Sequence, residues 1–168
     1  MGNNARPYQN KAATKYHQGF FKPNHPEKYM GDITHIVYRS GLELSFMTFL
    51  DQSESVLKWN SEGITIVYQD LQGESHRYYP DFYYECKNPK NTIDGIDKVV
   101  VELKPYKETQ QPIMPKNESV KSLTNYEYSL RTFMKNKMKW AKAVEWCQKR
   151  GLKFIIITEE HLKRKNIY

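Results

Sequence analysis

The chain has few residues with which to cross-link itself. Only Cys86 and Cys147 are cysteines, with no Cys-x-x-Cys, in 168 residues. A disulfide framework is therefore excluded and a reducing compartment is expected. The five histidines, His17, His25, His35, His76 and His161, show no His-x-His, His-Glu-x-x-His or paired Cys/His spacing, which argues against zinc. No apolar run approaches the ~20 residues that span a bilayer, so no membrane partner is expected. The first residues lack the basic-then-apolar pattern of a secretory leader. Position 6 is Arg6, where a myristoylation signal has Ser or Thr. No internal repeat is visible. No helix-turn-helix or finger motif is evident either, so any nucleic acid would be read through its backbone.

Positive charge and tyrosine are plentiful. Lys plus Arg number 26 against 19 Asp plus Glu, a net charge of +7, beside 13 Tyr. A basic, aromatic-rich surface favours a polyanion, with nucleic acid the leading class. The length suits one domain with one core. Residues 1–30 are polar, with Arg6, Lys11, Lys15, Lys22 and Lys28 against Glu27 alone. They read as a basic, partly disordered arm that tracks phosphates, docks on a partner or is simply solvated. The domain proper is expected over 31–168.

Periodicity gives the elements. Leu42, Phe46 and Phe49 recur at helical spacing in segment 39–50. An apolar strand is predicted at 63–69, after a short connection. The aromatic run 77–86 and the apolar run 97–104 flank a segment of turn formers, 87–96, which predicts an antiparallel hairpin. Segment 105–127 holds three prolines and reads as a loop near the site. An amphipathic helix follows over 128–150. Leu130, Phe133, Met134, Ala141, Val144 and Cys147 form its expected buried stripe, with Trp140 at the margin. Lys135, Lys137, Lys139 and Lys142 make a basic cluster on it. Gly151 suits a helix stop. The continuous apolar run 153–158 predicts a central strand, and the tail from Glu159 a short helix. Helix, three strands, helix and strand give an α/β sandwich around a mixed sheet.

Chemistry concentrates in two short strings, Tyr-Tyr-Pro-Asp-Phe at 78–82 and Val-Glu-Leu-Lys-Pro at 101–105. Alternate residues of a strand share a face, so Glu102 and Lys104 point the same way as Val100. Pro105 ends the strand. A carboxylate and an ammonium on one half-buried face are costly unless paired or bound. Alone, the pair reads most simply as a structural ion pair. The hairpin changes the weighting, because in one register, which the sequence does not fix, it carries Asp81 across from Glu102 and Lys104. Asp81 by itself could equally be a turn residue. Glu43, on the rim of the first helix's apolar face, is a third acid, either solvated or turned inward to a polar site.

These strings resemble the PD-(D/E)xK nucleases, a superfamily that includes the TnsA transposase endonuclease. More specifically, FKPNHPEKYMGD at 21–32, IVYRSGLELSF at 36–46, RYYPDFYYE at 77–85, VELKPYKETQQPIMP at 101–115 and KWAKAVEWCQKRGLKFIIITEEHL at 139–162 are similar to the head completion nucleases of T-even-type tailed phages. The resemblance implies a restriction-endonuclease-like αβββαβ core, a mixed sheet flanked by helices. It implies a Mg²⁺-dependent DNA endonuclease, with Mn²⁺ able to substitute. Asp81, Glu102, the Leu103 carbonyl and Glu43 would be metal ligands. Glu43, Asp81, Glu102 and Lys104 would be the catalytic set. Arg39, Lys107, Asn136 and Lys139 would contact double-stranded DNA. The same resemblance implies work in the host cytoplasm during phage assembly, after DNA packaging and before tail attachment. Portal or neck proteins are further expected partners, and association with the virion is a further expectation. A structural head-neck role without required cleavage is the alternative, favoured by the basic arm.

Overall fold

The computed structural model describes residues 18–70, 72–91, 93–117 and 119–167. In chain order the elements are β1 (Gly19–Phe20), β2 (Val37–Tyr38), α1 (Gly41–Gln52), β3 (Val56–Ser61), β4 (Ile66–Gln69), β5 (Ser75–Tyr78), β6 (Phe82–Lys87), β7 (Ile96–Leu103), α2 (Val120–Gln148), β8 (Lys153–Ile157) and α3 (Glu159–Arg164). The main sheet has the order β3-β6-β7-β8. β3, β6 and β7 are antiparallel, and β8 joins β7 in parallel through the α2 crossover. This is the mixed sheet expected from the sequence.

Helix α1 starts where Ser40 caps it, its hydroxyl accepting from the Glu43 N–H at 3.1 Å, one of the donors a helix start leaves unpaired. It buries Leu42, Phe46, Met47 and Leu50 against Val56, Trp59, Phe82, Val99, Val101 and Leu103 on one face of the sheet. On the other face a second cluster joins Ile66, Tyr68 and Tyr78 of the β4–β5 hairpin to Trp140 and Ala143 of α2. Val100, fully buried, lies between neighbours of the first cluster but points to the opposite face. Glu102 and Lys104 follow it at the same alternation.

Five expectations are revised. The first core strand is β3, not segment 63–69. A bulge between Val56 and Lys58 breaks the period of two and hides the strand from an alternation search. Segment 63–69 supplies β4, which pairs only with β5 in a separate hairpin. Strand β8 lies at a sheet edge. From Phe154 onward it is apolar because both faces are covered: Ile155 and Ile157 pack into the first cluster, Phe154 and Ile156 into the second. Helix α2 begins at Val120, inside the expected loop, capped by Ser119. Its buried face is Asn136, Trp140, Ala143 and Cys147, while Met134 and Val144 are 44% and 40% exposed. Two stripes at helical spacing were available, and the sheet takes the one carrying the large indole.

Residues 18–30, grouped by sequence with the arm, are fastened to the domain. The buried Asp51 carboxylate accepts from the Asn24 and His25 N–H groups at 2.8 and 3.0 Å. The Lys28 ammonium donates to the Asp51 and Ser53 carbonyls at 2.8 and 2.9 Å. The Met30 N–H donates to the Trp59 carbonyl at 2.8 Å. Residues 1–17 of the expected arm lie outside the described residues.

Candidate metal and phosphodiester site

Pro80 and Asp81 form the step by which the chain leaves the β4–β5 hairpin and enters the main sheet. Pro80 is fully buried and lies outside both strands, where its missing N–H costs nothing. The Asp81 backbone carbonyl accepts from the Glu62 N–H at 2.9 Å. Its carboxylate Oδ2 accepts from the Leu103 N–H at 2.7 Å. That bond brings Asp81 to the end of β7, beside Glu102 and Lys104.

Glu102 is only 4% exposed. A buried carboxylate must be paired, and both oxygens are. Oε1 lies 3.0 Å from the Lys104 ammonium, and Oε2 accepts from the Tyr78 hydroxyl at 2.6 Å. Burial and then the Glu102 charge push the Tyr78 phenol far above its ordinary range, so it remains a donor. Burial would lower the Lys104 ammonium, but the charges of Glu102 and Asp81 outweigh it and hold it above its ordinary value.

Asp81 carries the strain of the site. Burial and then the Glu102 charge push its carboxyl up to about 7, the Leu103 N–H and Lys104 pull against them, and Glu43 raises it further. Two close carboxylates resist ionising together. Such a pair fits a hard divalent cation, which takes carboxylate oxygens and keeps waters for its other positions. Asp81, Glu102 and the Leu103 carbonyl are the groups here that could hold Mg²⁺.

The remaining expected residues sort by distance from this centre. Glu43, in the first turn of α1, folds back on the helix start: Oε2 accepts from the Arg39 N–H at 2.8 Å and Oε1 from the Ser40 hydroxyl at 3.1 Å. It acts on Asp81 through its charge. Arg39 pairs through its guanidinium with Glu62, whose hydrogen bond and charge raise it further, with Glu43 and Asp81 adding to that. Lys139 lies over the Tyr78 ring, 5.5 Å from its centroid. Burial, opposed by Glu102 and assisted by Lys135 and Lys104, lowers its ammonium. Lys107 is exposed in the turn Tyr106–Thr109. Asn136 is 8% exposed on the inward face of α2, so the substrate would have to reach into the site to touch it.

Sequence reasoning missed Tyr78 and Glu62. Each meets its partner only through tertiary contact, and neither carries a motif. Among the described residues, one group of three side chains brings metal-type ligand atoms within 4.8 Å of one another: Asp70, Glu74 and His76. Glu43, Asp81 and Glu102 do not close to that spacing. The Asp70 carboxylate is engaged in the β4–β5 turn, accepting from the Gln72 and Glu74 N–H groups at 3.0 and 2.9 Å and bonding His76 Nε2 at 2.7 Å. That group fastens the hairpin.

A four-stranded mixed sheet between helices, with acids and a lysine gathered where β6 and β7 meet, has the fold of the restriction-endonuclease-like nucleases. Residues 53–159 match the family described as TnsA-like endonuclease N terminal, and the chain belongs to that endonuclease family. It is also similar to the head completion nuclease of Enterobacteria phage T4, with 31% identity over 148 residues, covering 88% of this chain and 94% of the relative. The family match spans β3 to β8 and contains Asp81, Glu102 and Lys104. Arg39 and Glu43 precede it.

Proposed function

We propose that this protein is a Mg²⁺-dependent DNA endonuclease that hydrolyses phosphodiester bonds and acts in phage head completion, after packaging and before tail attachment. The observation that carries the reading is the meeting of Asp81, Glu102 and Lys104 at the end of β7, with Asp81 held above its ordinary range by burial and then by the charge of Glu102. Asp81, Glu102 and the Leu103 carbonyl hold the cation, and Mn²⁺ substitutes for Mg²⁺ because both accept hard oxygen ligands. When bound, the cation supplies charge stabilisation at the phosphoryl group and an activated water. Tyr78 and Lys104 fix the two Glu102 oxygens. The Lys104 ammonium also offsets negative charge developing at phosphorus. Glu43 orients groups at the edge of the site through its charge. Arg39, Lys107 and Lys139 contact phosphates, and Asn136 meets a substrate drawn into the site.

The reading extends the likeness to the T4 head completion nuclease to a role in the host cytoplasm during assembly, with portal or neck proteins as partners and association with the virion. The test is cleavage of linear and supercoiled duplex with Mg²⁺ or Mn²⁺ by wild type, Asp81→Ala and Lys104→Ala. Loss in both variants is expected. Undiminished cleavage by both would end the assignment.

A further inference from the structure

We infer that Arg131, Lys135 and Lys139 form a phosphate track on α2, along which one strand of duplex DNA leaves the site. This rests on the nuclease reading and adds the path of the substrate. The three residues stand four apart on one helix, so they share a face at steps of about 6 Å. The track starts at the reacting centre, because Lys139 sits over Tyr78, the donor to Glu102, and feels the charges of Glu102, Lys104 and Asp81. From there Lys135 and Arg131 run toward the N-terminal half of α2. They line a cleft of about 370 Å³ whose other wall is the β4–β5 hairpin, with Gln72 and His76. Asp70 on that wall is bonded to His76.

The charge pattern of α2 points to an anionic occupant. Toward the helix C-terminus, Lys142 and Lys149 both pair with Glu145, at 2.9 and 2.6 Å. Among the described residues, Arg131, Lys135 and Lys139 form no ion pair with an acidic side chain. Lys139 instead meets Lys135 and Lys104 as like charges. Crowded cations are unfavourable until an anion arrives, and DNA supplies phosphates in series. An acidic peptide would meet the same charge, but the track ends at the groups that act on a phosphodiester, which favours DNA.

The test measures duplex binding by the non-cleaving Asp81→Asn protein from roughly 50 to 300 mM KCl. Adding Arg131→Ala and Lys135→Ala is expected to reduce the slope of log affinity against log salt by about 2, with affinity about tenfold lower or more. Adding Arg131→Lys and Lys135→Arg instead should restore the slope, which separates charge from folding. Adding Lys142→Ala and Lys149→Ala should leave it unchanged. An unaltered slope in the first variant, or an equal loss in the Glu145-paired control, overturns the track. Should wild type cleave DNA while the slopes behave that way, only the track fails. Should wild type neither cleave nor bind, the nuclease reading fails and the track with it.

Discussion

Replacing Asp81 by Asn should remove activity and, in the absence of metal, make the protein more stable at neutral and alkaline pH. Asn keeps an oxygen to accept from the Leu103 N–H, a 2.7 Å bond, but carries no charge to repel Glu102. The Asp81 carboxyl is raised from 3.8 to about 7. A raised carboxyl favours folding of the protonated form. Its contribution is complete below 3.8 and is lost as pH climbs through about 7. At about pH 8 the wild type bears the full penalty, about 4 kcal/mol at most. Asn should recover a large part of it, roughly 5–10 °C in Tm for a chain of this size. At about pH 3, below both values, the carboxyl is protonated in the folded and mostly in the unfolded chain, and the gain should nearly vanish. Mg²⁺ should narrow the gap, stabilising wild type by about 2.7 kcal/mol at a hundredfold excess over Kd and leaving Asp81→Asn nearly unmoved. Thermal melts across pH, with and without Mg²⁺, provide the assay. A variant less stable than wild type at about pH 8, or a gain of equal size at both pH values, would refute the electrostatic account of this site.

Tyr78→Phe removes the donor to a buried carboxylate, a 2.6 Å bond, and should cost about 1–3 kcal/mol. Metal titration by calorimetry should also show weaker binding in it, because Glu102 is less firmly oriented. Asp51→Ala strands the Asn24 and His25 N–H groups and should cost about 1–3 kcal/mol by urea unfolding. Amide exchange over residues 18–30 should quicken in that variant, with kcat near wild type. Gly151→Ala places a Cβ at a φ of +66° and should lose about 1 kcal/mol in the same unfolding assay.

Local pattern made much of the fold legible. Helix α1 follows from Leu42, Phe46 and Phe49 at helical spacing, and the β6–β7 hairpin from an aromatic and an apolar run around a turn-rich segment, though Tyr78 of the first run belongs to β5. The turn-rich segment also sets which strands pair, though not their register. Elements escaped where local pattern and tertiary demand diverged. The bulge in β3 spoiled its alternation. The polar first turns of α2 bury no residue and so lack the apolar stripe by which a helix is recognised.

For the candidate site, the sequence alone determined which residue types are at hand and part of their geometry. Glu102 and Lys104 share a face because a strand repeats every two residues, and that holds wherever the strand is placed. The nearness of Asp81 depended on register, which only the packed sheet fixes. Tyr78 reaches Glu102 because the β4–β5 hairpin folds over the sheet and under α2, a contact between segments 24 positions apart. Which acid bears the raised affinity for protons was likewise a tertiary outcome. Burial and the surrounding charges are properties of the assembled fold, and no stretch of chain carries them by itself.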